Sequence, residues 1–215
     1  TIYKWAVRGA FYRANYIFKD RYILELNGRY DGSSRFPKDK RFGFFPSVSA
    51  GWNVSRETFM ESLDPAISLL KFRASYGTLG NQDVGAFGYI PTMTARNSDY
   101  IIGGQLPLQI SSPALVSDNY SWETVTTQNF GMDLGLFNNR VSATFDIYRR
   151  DTKDMLTLGK DLPGVLGASE PLENAADLKT NGWELSIGYQ NSFGTKKPLG
   201  INARFILSDS RSYIT

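Results

Sequence analysis

The sequence has no cysteine and no histidine among its 215 residues. The lack of cysteine excludes a disulfide scaffold and thiolate metal sites. The lack of histidine removes the commonest metal ligand and the usual general base of enzymes. We therefore expect a protein that is not an enzyme, with no catalytic residue, no cofactor and no metal site.

Long apolar runs are missing as well. No stretch approaches the roughly 20 apolar residues that a membrane-spanning helix needs, so a helical membrane protein is excluded. The formal net charge of +3 is small and is spread along the chain, so nucleic acid is not an expected partner. Residues 1–5 do not resemble a secretory signal, and no closing aromatic strand ends the sequence, so we expect a piece of a larger protein.

What the sequence does contain is alternation of apolar and polar residues. Leu24 and Leu26 alternate with Glu25 and Asn27, and successive side chains of a strand point to opposite faces. About eight such strands can be counted, which makes the chain all-β. A soluble sandwich also alternates, so the pattern alone does not decide whether the apolar face meets lipid or a second sheet.

Aromatic residues occur near the ends of the apolar faces. Their rings have an apolar body and a polar tip, which suits the headgroup level of a bilayer, although a half-buried sheet is also enriched in aromatics. The candidate girdle consists of Tyr12, Tyr16, Tyr22, Tyr30, Trp52, Tyr76, Trp183 and Tyr189.

The connections between the predicted strands alternate between short and long. The short ones are residues 18–21, 137–140 and 192–198. The long ones are residues 31–42, 79–121 and 157–181, and residues 56–67 are intermediate, with about one helical turn expected on the short-turn side. Short turns on one rim and long loops on the other are typical of outer-membrane barrels. The sequence thus predicts an antiparallel transmembrane β-barrel.

Several segments carry a resemblance to a known family. The segments are residues 29–36, 41–52, 70–82, 122–124, 129–133 and 181–185. In order and spacing they are similar to the barrel domain of the SusC/RagA family of TonB-linked (TonB-dependent) outer-membrane transporters. The similarity covers nearly the whole chain.

The resemblance implies a nutrient importer of the Bacteroidetes outer membrane. It implies a barrel of about 22 strands with a plug in its lumen, of which residues 1–215 would be part of a single barrel domain. It further implies uptake of oligosaccharides or oligopeptides, a SusD-like surface lipoprotein as a lid, and energy from the TonB complex. Neither the plug nor the TonB box is in this sequence.

Polar residues of the predicted strands are expected to line the lumen. Charge is tolerated there, whereas on the lipid side it costs about 2–4 kcal/mol per residue near the midplane. Plug docking is the favoured role, with wetting and substrate contact as alternatives. The residues are Arg13, Asn15, Glu25, Asn27, Arg29, Lys71, Arg73, Asp133, Asp146, Glu184 and Arg204.

Four aromatic residues of the longest loop are candidates for contact with a substrate or partner. They are Tyr89, Tyr100, Tyr120 and Trp122. Their flat faces, among hydrogen-bonding side chains, suit sugar rings or peptide backbone. Packing of the loop on itself or against the lipoprotein is the favoured alternative, because long loops need a core of their own.

Two patterns resemble functional sites, a phosphate-binding loop and a pair of catalytic carboxylates, but are given less weight. Residues 77–81 are glycine-rich, but they precede no predicted helix and lack the Gly-Lys-Ser/Thr ending of a phosphate loop. Asp118 and Glu123 could form a glycosidase pair, and solvated loop charges are the favoured interpretation.

Two other classes of protein stay open at this point. A secreted β-sandwich that binds glycans would bury its apolar faces between two sheets. A passive porin-like barrel would need no plug, no TonB and no lid. Solubility without detergent would indicate the first, and the absence of a plug domain in the gene would indicate the second.

Overall fold

The computed structural model describes residues 4–64, 66–159, 161–194 and 199–215. Eight long strands form one antiparallel sheet. They are β1 (Val7–Phe18), β2 (Tyr22–Ser33), β3 (Phe42–Asn53), β4 (Ile67–Asn81), β7 (Glu123–Leu136), β8 (Val141–Leu158), β9 (Leu172–Phe193) and β10 (Leu199–Ile214), and they lie side by side in this order. The hairpin of β5 (Ala95–Asn97) and β6 (Leu108–Ile110) lies between β4 and β7 in sequence.

This architecture confirms the predicted fold class, an antiparallel all-β chain of about eight strands. Sequence neighbours pair throughout the sheet, with β4 pairing β7 across the hairpin. The β-sandwich alternative is wrong, because within the described residues the second sheet consists only of β5 and β6 and cannot cover the first. No helix in those residues is long and apolar enough to cross a membrane.

The tight turns form one edge of the sheet, which we call the short-turn rim. Lys19, Asp20, Asn138 and Asn139 adopt positive φ there, and aspartate and asparagine tolerate that conformation better than most residues. Between β3 and β4 lie two short 3₁₀ helices, Val54–Arg56 and Thr58–Leu63, where the sequence predicts one helical turn. The predicted turn at residues 192–198 lies partly outside the described residues.

The opposite edge, the long-loop rim, differs from the sequence prediction in two respects. The loop predicted at residues 157–181 is shorter than expected and spans residues 159–171, because β8 continues to Leu158 and β9 begins at Leu172. The connection of residues 34–41 is shorter than that of residues 54–66 on the short-turn rim, so the two rims differ less in loop length than predicted. The long connection of residues 82–122 is present and contains the β5–β6 hairpin.

Most large apolar side chains of this sheet are exposed. Phe72 and Phe145 are half-buried, while Tyr16, Phe44 and Phe205 are exposed by more than half of their surface. A soluble monomer rarely leaves such a continuous apolar surface in water. Burial is concentrated instead in a small cluster beside the long loops.

Candidate functional site

The strand register places every predicted lumen residue on one side of the sheet, the charged face. Residues that pair across antiparallel strands point to the same side. Arg13 pairs with Asn27, Lys71 with Asp133, and Asp146 with Glu184. The charged face therefore carries Arg13, Asn15, Glu25, Asn27, Arg29, Lys71, Arg73, Asp133, Asp146, Glu184 and Arg204.

Many charges of this face neutralise one another. Arg13 Nη2 lies 2.6 Å from Glu25 Oε2, and Asn27 Nδ2 donates to the other oxygen of that carboxylate at 2.9 Å. Arg29 donates to Asp31 at 3.0 and 3.2 Å. Within the described residues, Lys71, Glu184 and Arg204 form no ion pair.

Arg73 joins three strands at the centre of the charged face. Its guanidinium donates to Asp133 at 2.8 and 3.1 Å and to Asp146 at 3.1 Å. Gly131 lies directly across from Arg73, and a Cβ atom there would meet Arg73 Nη2 at 2.7 Å and clash with Asp146 Oδ1. The absence of a side chain at residue 131 thus lets the guanidinium cross β7 to reach β8.

The opposite side, the apolar face, carries a band of apolar residues that runs obliquely. The register puts Tyr22 of β2 level with Leu207 of β10, yet the band on β10 continues to Leu199, eight residues further along. Over the six strand-to-strand steps this is between one and two residues per strand. For strands about 4.8 Å apart rising about 3.3 Å per residue, the shift corresponds to a tilt of about 40°, as in outer-membrane barrels.

A row of polar residues lies beyond the apolar band on four strands. The row pairs Gln128 with Arg149, Arg149 with Asn181, and Asn181 with Arg211. Beyond it, Arg149 donates to Asp151 at 2.8 and 3.1 Å. Because β8 and β9 continue past this row towards residues 159–171, they extend well beyond the apolar band on the long-loop rim.

The four loop aromatics do not form one exposed surface. Tyr120 is 1% exposed and Trp122 is 8% exposed, in a cluster with Phe36 and Phe45. Burial raises the pKa of the Tyr120 hydroxyl above its usual range. The burial of Tyr120 and Trp122 favours the alternative in which these rings pack the long loop on itself, because a buried ring offers no face for stacking on a ligand. Tyr89 packs against Tyr120 with ring centroids 6.4 Å apart, which leaves Tyr100, 76% exposed, as the free aromatic of the four.

Asn174 fastens the long loop to the extended part of β8 and β9. Its Oδ1 accepts from Ser121 N at 3.0 Å and its Nδ2 donates to Ser121 O at 3.1 Å. The same Nδ2 donates to the carbonyl of Asp154. A single amide therefore holds the root of the loop against both strands.

Replacing Asn174 with alanine will loosen this loop without unfolding the sheet. Leaving the two part-buried backbone groups of Ser121 without partners costs about 1 kcal/mol, which corresponds to about a fivefold increase in opening. Limited proteolysis should therefore cut residues 82–122 faster. Asn119→Ala, an exposed change in the same loop, is the control, and equal cleavage of both variants would contradict the role of Asn174.

Glu57 organises the short-turn rim, a role that the sequence did not reveal. It is 8% exposed and accepts hydrogen bonds from Trp52 Nε1 at 3.1 Å, the Tyr22 hydroxyl at 2.8 Å and Arg21 Nη1 at 3.0 Å. These bonds, that from Trp52 foremost, hold the pKa of its carboxyl below the usual range. The polar tips of two girdle aromatics are thereby fixed at this rim.

The structure gives no support to carboxylate chemistry at Asp118 and Glu123. Glu123 of β7 accepts hydrogen bonds from Asn81 Nδ2 of β4 at 2.7 Å and from Leu156 N of β8 at 3.0 Å. Its carboxylate therefore links three neighbouring strands at the long-loop rim. The backbone carbonyl of Asp118 accepts a hydrogen bond from Lys40, and among the described residues its carboxylate forms no ion pair. In the described part of the chain, no group of three or more acidic residues is arranged to hold a metal ion.

Comparison with known proteins agrees with this geometry. The family model described as TonB dependent receptor-like, beta-barrel, matches residues 2–213. The TonB-dependent receptor SusC of Bacteroides thetaiotaomicron is 36% identical over 180 residues, which are 82% of this chain and 18% of that protein. TonB-dependent receptor P3 of Formosa agariphila is 35% identical over 84% of this chain and 18% of its own length. The chain thus spans about a fifth of the curated relatives it matches.

Solved structures give the same assignment. The RagAB peptide importer in its closed-closed state matches 98% of this chain and 22% of its own chain, with 30% identity and a TM-score of 0.81. The RagAB peptide transporter matches the same shares with a TM-score of 0.80. The oblique apolar band agrees with that similarity, and so does the eight-stranded sheet with one apolar and one charged face. The chain belongs to the TonB-dependent receptor β-barrel family, in its SusC/RagA group, and its strands are those of an outer-membrane β-barrel.

Proposed function

We propose that this chain is part of a TonB-dependent importer that takes oligosaccharides or oligopeptides across the outer membrane. The match to the RagAB peptide importer along nearly the whole chain is the observation that carries this proposal. On this proposal, residues 1–215 form part of one barrel domain. The plug and the segment that contacts TonB are supplied by other parts of the protein.

The charged face is proposed to line the lumen of the barrel. Its ion pairs, such as Arg73 with Asp133 and Asp146, would be costly against lipid and are tolerated beside a plug or water. Lys71, Glu184 and Arg204 are free of ion pairs among the described residues, which suits them to dock a plug. Plug docking is accordingly the role we assign to this face.

The long-loop rim is proposed to carry a SusD-like lipoprotein. The β5–β6 hairpin ends in Ile102-Gly103-Gly104-Gln105, where both glycines have positive φ, as a tight two-residue turn requires. Its large apolar residues are exposed although the hairpin lies outside the apolar band. They are Tyr100, Ile101, Ile102, Leu106, Leu108 and Ile110. A protein partner would remove them from water.

Transport can be tested with cells that lack the gene. Cells carrying the gene should accumulate labelled oligopeptides or labelled oligosaccharides, and cells lacking it should lose uptake of one of these classes. Uptake should also stop when TonB is removed, because an energised importer cannot cycle without it. Uptake that continues without TonB would favour a passive porin and contradict the proposal.

The partner surface can be tested by a matched pair of substitutions in the hairpin. Leu108→Asp should reduce the amount of lipoprotein that copurifies with the barrel by about tenfold or more, because burying a leucine side chain contributes about 1.5–3 kcal/mol. Gln109→Asp introduces the same charge on the opposite side of β6 and should change little. Equal copurification of both variants would remove the hairpin from the partner surface.

A further inference from the structure

A notch lies on the apolar face close to the short-turn rim. Its floor is made by Ala50 of β3 and Ala74 of β4, which pair directly. One row nearer the short-turn rim, Trp52 pairs with Phe72. Leu24 and Phe130 pair with the two alanines on the outer sides. The small floor among large neighbours leaves a cavity of about 360 Å³.

The walls of this notch are held in place. The ring centroids of Trp52 and Phe72 are 6.5 Å apart, and those of Phe72 and Phe130 are 6.2 Å apart. Trp52 and Tyr22, another lining residue, both donate to Glu57 through their polar tips. The aromatic bodies thus face the notch while their polar groups are already satisfied at the rim.

We propose that this notch binds one acyl chain of a phospholipid of the periplasmic leaflet. The side chains that wall the notch on this face are aliphatic and aromatic, so a hydrocarbon chain fits it and a polar ligand does not. It opens on the face that an outer-membrane barrel turns to lipid. Short turns of outer-membrane barrels face the periplasm, so on the proposed function the short-turn rim is periplasmic, and the notch lies within the first rows of that rim.

A cation lies at the same rim, at the level of a headgroup. Lys19 Nζ is 5.3 Å from the centroid of the Phe18 ring, and Phe18 pairs with Tyr22, which lines the notch. An ammonium group at this depth can meet a lipid phosphate while the chain of the same lipid runs along the apolar face. The notch and Lys19 together fit one lipid molecule.

Native mass spectrometry of the full-length protein, purified in mild detergent, tests whether the notch binds a lipid. A phospholipid should remain bound to the wild type and be lost from Ala50→Phe and Ala74→Phe, which fill the notch from exposed positions. Ala143→Phe is the control, because Ala143 lies on the same face between Leu134 and Ile187. Equal lipid retention by all three variants would overturn the proposal.

A second measurement needs no variant. The wild type is reconstituted in vesicles that contain a phosphatidylethanolamine with a photoactivatable diazirine on its acyl chain. Crosslinks should concentrate on residues 50–52 and 72–74 and be sparse at Ala143. Uniform labelling of the apolar face would overturn specific lipid binding in the notch. Protein dimers that form through the notch in place of lipid adducts would overturn it as well. Neither measurement depends on transport, so a negative result here does not contradict the proposed import.

Discussion

Arginine in place of Leu26, Phe72 or Phe145 will impair assembly of the barrel. All three side chains lie on the apolar face, as their pairs Val48, Trp52 and Leu185 do. An arginine on the lipid side costs about 2–4 kcal/mol near the bilayer midplane. That cost is a large part of the stability of a typical domain, so the folded fraction in the outer membrane should fall sharply. Heat-modifiable migration on gels measures it.

Neighbouring residues on the charged face supply the controls. Asn27→Arg, Ser75→Arg and Thr144→Arg place the same side chain on the same strands but on the opposite side. A charge is tolerated on that side, so these variants should assemble nearly as well as the wild type. Equal damage from both sets would mean that both faces are buried in an apolar environment, and the proposed lumen would be wrong.

Single cysteines at the two rims will label from opposite sides of the outer membrane. Ser98 and Val165 lie in connections of the long-loop rim, and Val165 is 95% exposed. Cysteines there should react with a membrane-impermeant maleimide on intact cells, because the longer loops of outer-membrane barrels face outwards. Cysteines at Thr58 and Glu61, in the 3₁₀ helix of the short-turn rim, should react only after the outer membrane is opened.

The choice of positions avoids two sources of false results. This chain has no cysteine of its own, and any cysteine elsewhere in the protein is replaced first. The tight turns at Asp20 and Asn139 are left unchanged because both residues have positive φ, which a cysteine would adopt only under strain. Labelling of Thr58 and Glu61 variants on intact cells, with protection of the other pair, would reverse the topology. Protection of Ser98 that disappears when the lipoprotein is deleted would place the lid over that loop.

The two faces of the sheet were predictable because alternation is local. The side of a strand on which Glu25 or Asp146 lies follows from its neighbours in sequence. The ends of β8 and β9 were missed because the rule fails beyond the apolar band. Just beyond the band both sides are polar, with Asp151 and Lys179 paired on one side and Arg150 and Thr180 on the other. Further on, register shifts between Thr152 and Leu156 interrupt the alternation, so the pattern looks like a loop.

The cluster around Trp122 could not be predicted from sequence because its contacts are distant. Trp122 Nε1 donates to the carbonyl of Arg41 at 3.2 Å, and its ring packs on Phe36 at 4.8 Å. An exposed aromatic that binds a ligand and a buried one that packs a loop have the same local sequence. The hydrogen bonds of Glu57 depend likewise on the turn that brings Tyr22 beside Trp52.

The extension of β8 and β9 determines how far the chain projects from the membrane. From Ile147, the last apolar residue of the band on β8, the strand continues to Leu158. At about 3.3 Å per residue and a tilt of about 40°, this raises the strand end by roughly 25–30 Å. The headgroup layer is only about 5–8 Å deep, so on the proposed topology the tip at Val165 stands clear of it. An antibody that approaches the cell would therefore meet the exposed side chain of Val165 above the headgroup layer.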